Sequence, residues 1–333
     1  MMERRLFLLV LILALKDCCH CHLPTLAFAG FGSSTGKSKG TAKTNQKNNK
    51  KKKPPPPSPL SIIIEDLDTP QGRMDHIQSC IERASTSALT SDPHSLLLVD
   101  NFLGPQLVAS LRTEAESIRP TMVPSQSTKW DDQLGQVVPY DKQGVFSTQI
   151  EGGPDGYAMT PRLVEYIVTL TKHLSLKLND QLLSSPDCHL SSTQQTNKLA
   201  VCVGNGSKYD KHIDNLGGGT DQRKLTALLY LQPVGSHADN ADDDSSDTIM
   251  DDPRGGYFRA YDVPEKDNMT CLAPQGDRLL LFWSDSLVHD VSPSFCVSPS
   301  DERWALTVWF LVDKGGVIRE TSADIEQRHF GTG

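Results

Sequence analysis

The sequence predicts an α+β fold: a double-stranded β-helix (jelly roll) built of two sheets, with supporting N-terminal helices. Three observations predict it. Segments of helical period come first; short runs rich in aliphatic, β-branched and aromatic residues recur from about Lys198 onward; and Gly-rich or acidic stretches separate those runs. The composition permits such a core, with 37% of the 333 residues hydrophobic and 24 glycines beside them. A mean hydropathy of -0.37 excludes a multi-span membrane protein.

The helical segments have readable starts. Thr69-Pro70 offers a cap and a first-turn proline ahead of Met74, Ile77, Ile81 and Ala84 on one face. Leu103-Gly104-Pro105 leads into Leu107, Leu111, Ala115 and Ile118. Thr160-Pro161 opens the longest, whose Leu163, Ile167, Leu170, Leu174, Leu178 and Leu182 make an apolar stripe able to lie against a sheet. The strand runs are Ser95 to Val99, Leu199 to Val203, Leu225 to Leu231, Gly256 to Tyr261, Arg278 to Trp283 and Trp304 to Leu311.

Ahead of this body the composition changes. Arg4 and Arg5 precede the apolar run Leu6 to Leu15 and then the small-residue stretch Ala27-Phe28-Ala29-Gly30. Ten apolar residues are too few for a helix to cross the ~30 Å hydrocarbon core, so residues 1–29 read as a signal peptide or presequence that leaves no stable membrane span after removal. Residues 30–60 read as a basic, proline-rich linker ending in Lys50 to Lys53 and Pro54 to Pro57. Residues 61–92 are expected to be a helical extension and 93–333 the functional domain, with an acidic insertion at 236–252 that holds seven aspartates. The leader places the chain in the secretory pathway, in the endoplasmic reticulum lumen or outside the cell; the alternative is a secondary plastid reached through a bipartite presequence.

The charge is divided in the same way. Of the net -8, residues 31–60 contribute eight lysines and no acid and residues 1–30 contribute +1, which leaves -17 on residues 61–333. A body so acidic disfavours nucleic acid as a partner, because phosphate binding is driven by clustered positive charge. The cysteines of the body, Cys80, Cys188, Cys202, Cys271 and Cys296, are odd in number and irregular in spacing, unlike a disulfide framework.

Chemistry concentrates at two places. In Tyr209-Asp210-Lys211-His212-Ile213-Asp214-Asn215 an imidazole and a carboxylate stand two positions apart, and in an extended chain such residues face the same way. With a second histidine they make the 2-His-1-carboxylate set that suits Fe(II) and leaves coordination positions open. A lone His-x-Asp is common by chance; what raises it is His289 after Phe282-Trp283-Ser284-Asp285, and Arg303 at the head of Trp304-Ala305-Leu306-Thr307-Val308-Trp309-Phe310. An arginine that starts an apolar strand and points inward needs an anion, and its planar fork suits a carboxylate.

Together with Val99-Asp100-Asn101-Phe102-Leu103, Gly204-Asn205-Gly206-Ser207, Tyr230-Leu231, Gly255-Gly256 and Asp277 to Asp285, these phrases resemble the Fe(II)- and 2-oxoglutarate-dependent prolyl hydroxylases, most of all the hypoxia-inducible-factor prolyl hydroxylase type. The resemblance spans roughly Leu96 to Leu311. It implies that His212, Asp214 and His289 bind iron and that Arg303 pairs with the distal carboxylate of 2-oxoglutarate, assisted by Tyr230 and Thr307. It implies further that Tyr209, Cys202, Asn215 and Trp309 belong to the substrate or pocket surface. Catalysis would then need no group beyond the metal centre. O2 would be consumed, succinate and CO2 released, ascorbate would serve as reductant, and the partner would be a protein or peptide containing proline. The same cofactors would serve a lysyl residue or a small molecule, and a non-catalytic binding module is the reading of a different class. Cys202 stands where the family has a tyrosine, which removes one polar contact to cosubstrate or peptide.

Overall fold

Thr69 caps the first helix, α1 (Pro70–Arg83): its hydroxyl accepts from the Gly72 amide at 3.0 Å, and Pro70 fills the first turn where no amide is needed. The computed structural model describes residues 67–91, 94–131, 133–134, 136–182, 189–215, 221–233, 254–261, 269–296 and 298–312. The expected leader and linker over 1–60 and the acidic insertion at 236–252 lie outside the described residues.

A short helix α2 (Ser87–Ser91), strand β1 (Leu97–Val99) and helix α3 (Pro105–Ser117) follow. The stripe expected for α3 is the buried one, since Leu107, Leu111 and Ala115 are all shielded from solvent. A hairpin of β2 (Val123–Asp131) and β3 (Gln136–Thr148), which the sequence does not announce, precedes α4 (Gly153–Met159) and the long α5 (Pro161–Gln181). Along α5 the residues Leu163, Ile167, Leu170, Leu174 and Leu178 are buried at helical spacing. Arg73 of α1 and Glu165 of α5 form a buried two-point ion pair, Nε to Oε2 at 2.6 Å and Nη2 to Oε1 at 2.9 Å.

The remaining strands are β4 (Leu190–Cys202), β5 (Ser207–His212), β6 (Arg223–Tyr230), β7 (Phe258–Tyr261), β8 (Met269–Leu272), β9 (Leu279–Trp283), β10 (Val288–Ser294) and β11 (Arg303–Val312). They make two antiparallel sheets, one ordered β1-β9-β6-β11-β4-β3-β2 and the other β5-β10-β7-β8. This is the expected jelly roll with helices laid on its larger sheet.

Period two sorts every central strand into two faces. Leu199 and Val201, Leu225, Ala227 and Leu229, Leu279, Leu281 and Trp283, and Trp304, Leu306, Val308 and Phe310 join the helical stripes in one core. That core also takes in Ile77, Ile81 and Leu89, so the helices expected as an extension share it. The alternate residues face the second sheet, where Leu228, Tyr230, Leu280, Phe282 and Ala305 pack with Phe258 and Leu287. The phrase Asp277-Arg278 is structural: the Asp277 carboxylate accepts the Leu103 and Gly104 amides, both at 2.7 Å, and Arg278 pairs with Asp100 at 2.6 Å. Cys80, Cys202, Cys271 and Cys296 are all free thiols.

Candidate metal centre

The inner face of the larger sheet and strands β5 and β10 of the smaller enclose a cavity of about 210 Å³. In the antiparallel register of β5 and β10, His289 lies directly opposite His212, and their ring centroids are 4.4 Å apart. Asp214 follows two residues later and faces the same way. Its Oδ1 lies 3.6 Å from His212 Nε2 and 4.0 Å from His289 Nε2. One donor atom from each of the three falls within 4.8 Å of the others, the only such cluster among the described residues.

The hydrogen bonds behind these side chains choose their state. His212 Nδ1 lies 2.7 Å from the Asp210 carbonyl and His289 Nδ1 3.1 Å from the Leu287 carbonyl. A carbonyl can only accept, so each Nδ1 carries the proton and each Nε2 keeps its lone pair toward Asp214. Burial, followed by the proximity of His212, pushes His289 down to about 4, so the ring is neutral at neutral pH. Phe258 and Phe282 wall it, with centroids 5.1 Å and 4.9 Å away. For Asp214, burial opposes ionisation. The neighbouring His212 and His289 rings and the Thr226 hydroxyl outweigh it and hold the carboxyl well below its usual range. Its Oδ2 accepts from Thr226 Oγ1 at 2.7 Å and from Trp309 Nε1 at 3.1 Å. Because the Thr226 proton is used there, Ser284, 2.8 Å away, donates to Thr226.

Two neutral imidazoles and one ionised carboxylate, each oriented from behind, fit a divalent transition metal such as Fe(II). Deeper in the cavity Arg303 is only 3% exposed. Its Nη2 donates to Tyr230 Oη at 3.1 Å, Nη1 lies 3.9 Å from Cys202 Sγ, and Nε has no partner. No acid pairs with it among the described residues. A buried guanidinium in that condition is costly unless an anion joins it, which fits the carboxylate of 2-oxoglutarate. Gly256 makes room for it: a Cβ there would stand 3.3 Å from Arg303 Cδ, at a φ of +73°.

Of the other expected residues, Thr307, Tyr209 and Trp309 line the cavity. Asn215 does not. It is buried, and its amide donates to the carbonyls of Asp221 and Arg223 at 3.2 Å and 2.5 Å. Cys202 is buried behind the wall against Arg303, and Tyr230 acts through its hydroxyl on Arg303. Sequence reasoning missed Thr226, although alternation with Leu228 and Tyr230 marks it as inward. It also missed Lys198, which alternates with Ala200 and Cys202, and Lys142, which sits on the unannounced hairpin; both lysines line the cavity.

Fold and site together fit an Fe(II)- and 2-oxoglutarate-dependent oxygenase. Residues 198–311 match the family model of the 2OG-Fe(II) oxygenase superfamily. The chain is similar to prolyl hydroxylases of the Egl nine type. It is 30% identical over 226 residues to Egl nine homolog 1 of Rattus norvegicus, which is 65% of this chain and 55% of that protein. It is 33% identical over 120 residues to Prolyl hydroxylase EGLN3 of Homo sapiens, 35% of this chain and 41% of that one. The chain thus spans about half the length of the Egl nine homologs it matches. A solved prolyl 4-hydroxylase structure from Phytophthora capsici is similar with a TM-score of 0.46 and 22% identity, covering 76% of this chain and 71% of that chain. The superfamily's reactants are Fe(II), 2-oxoglutarate and O2.

Proposed function

We propose that this chain hydroxylates a prolyl residue in a protein or peptide, consuming O2 and 2-oxoglutarate and releasing succinate and CO2. The observation that carries the reading is one cavity holding both the His212, Asp214, His289 cluster and a buried Arg303 without an acid partner. The similarity to prolyl hydroxylases supports proline as the target.

His212, Asp214 and His289 would hold Fe(II), which when bound supplies the activation of O2 that couples oxidation of 2-oxoglutarate to C–H hydroxylation. The chain's own residues do the rest. The carbonyls of Asp210 and Leu287 fix both imidazoles as lone-pair donors, and Thr226 and Trp309 hold the carboxylate in one orientation. Arg303 and the Tyr230 hydroxyl orient the cosubstrate, and Thr307 adds a polar contact on the same strand. Phe258 and Phe282 exclude water from the His289 side. Ascorbate would keep the metal reduced. The leader supports action in the secretory pathway; among the described residues no helix is long and apolar enough to cross a membrane.

The test is peptide-stimulated succinate formation with mass spectrometry of proline-containing peptides. Wild-type protein should add one oxygen mass to proline, and His212→Ala should abolish both signals. Unchanged turnover in that variant would sink the assignment, and turnover on small molecules with untouched peptides would move the substrate class.

A further inference from the structure

Two cations in the cavity wall have an account: Arg303 faces the cosubstrate and Arg223 is paired with Asp221 at 2.6 Å. Lys142 and Lys198 have none. The Lys142 ammonium lies 4.2 Å from the centroid of the Tyr209 ring, and Lys198 Nζ donates to Ser125 Oγ at 2.7 Å. Neither forms an ion pair with a described residue. Among the described residues Asp214 is the sole carboxylate lining the cavity, and it is already committed to the histidines, Thr226 and Trp309.

Two half-buried ammonium groups that line one cavity, the charge of Lys142 disfavoured by burial and by Lys198, are relieved by an anion beside them. Lys198 is the register partner of Thr307, and Cys202 that of Arg303. Four residues of strand is about 13 Å between backbones, so Lys198 and Arg303 enter the cavity from different points of the sheet. Lys142 reaches in from the neighbouring β3, beside Tyr209 of β5.

We propose that Lys142 and Lys198 form a second anion subsite, which holds a carboxylate of the primary substrate and so selects targets with Asp or Glu beside the oxidised residue. This rests on the oxygenase reading of the cavity and adds a substrate class to it. It also runs opposite to a basic-peptide preference that the acidic segment 236–252 would suggest from composition.

The test uses the full chain with Fe(II), 2-oxoglutarate and a peptide pool with a fixed proline and randomised flanks. Sequencing the oxidised peptides by mass should show about tenfold enrichment of Asp or Glu at one flanking position, the scale of one charge-assisted hydrogen bond. Lys142→Met/Lys198→Met should lose that enrichment while its 2-oxoglutarate affinity, read by titration with Mn(II) in place of iron, stays within about twofold. Lys142→Arg/Lys198→Arg should keep it. Absence of acidic enrichment in the wild type, or its persistence in the methionine variant, overturns the subsite. Collapse of 2-oxoglutarate affinity in the methionine variant also overturns it, by assigning the lysines to the cosubstrate. If no peptide is oxidised, the proline reading fails. The subsite is then decided by whether N-acetyl-aspartate, and not N-acetyl-asparagine, raises the melting temperature of the wild type but not of the methionine variant, at saturating 2-oxoglutarate and Mn(II). Equal effects overturn it.

Discussion

His289 shows how burial sets a residue's chemistry. The unfolded chain takes up a proton on this ring near the ordinary value of 6.5, whereas the folded chain resists until about 4. Between those values the unfolded state binds more protons, so stability rises with pH. The metal-free protein should therefore melt highest above pH 6.5 and lose stability as the pH falls toward 4. Asp214, held below its usual range, adds a loss of the same sign at still lower pH. A His289→Gln variant should lose less melting temperature between pH 7 and 5; an equal loss would assign the effect elsewhere. Arg303 gives the second prediction at this scale. Arg303→Ala should raise the KM for 2-oxoglutarate by about 10- to 100-fold, the value of one or two charge-assisted hydrogen bonds, with a smaller effect on kcat at saturation. A fall in kcat with KM unchanged would remove Arg303 from cosubstrate binding.

Helices and strands differ in how much of themselves they show in sequence. α1, α3 and α5 are legible because one face repeats every three or four residues; the predicted stripes of α3 and α5 are buried, whereas on α1 Ile77 and Ile81 are buried and Met74 and Ala84 only half-buried. On α5, Leu170 is fully buried and Leu176 is 49% exposed. Denaturant unfolding should show Leu170→Ala losing about 2–5 kcal/mol and Leu176→Ala no more than about 0.5. β6, β9 and β11 are legible as apolar runs. β10 is not, because Val288–Ser294 is short of apolar residues and contains a proline. Its Asp290 is buried only because Arg259 donates to it at 2.6 Å and 2.7 Å and Tyr261 at 2.6 Å, all from β7. Such partners are invisible to local pattern. The β2–β3 hairpin escapes notice for a related reason: Pro124 and Pro139 interrupt it and many of its described residues are exposed or half-buried, so alternation is weak.

At the scale of the molecule, the division between a basic leader and an acidic body bears on where the enzyme works. A fluorescent fusion of the full chain should enter the endomembrane system, and one lacking residues 1–30 should stay in the cytosol; identical distributions would refute the leader's role. The inward-facing chemistry can be placed from the sequence alone. His212, Asp214, His289 and Arg303 are recognisable by type, order and the strands beside them, and period two orients Arg303, Thr307 and Trp309 together. Their convergence belongs to the tertiary structure. His212 and His289, far apart in the chain, become neighbours through one antiparallel register. Asn215 bonds the carbonyls of Asp221 and Arg223, and Lys142 enters the cavity from a hairpin no local pattern revealed. The physical reason is common to all three. Side-chain alternation is a property of a single strand, whereas register and the choice of partner arise only when two sheets and their helices pack against one another.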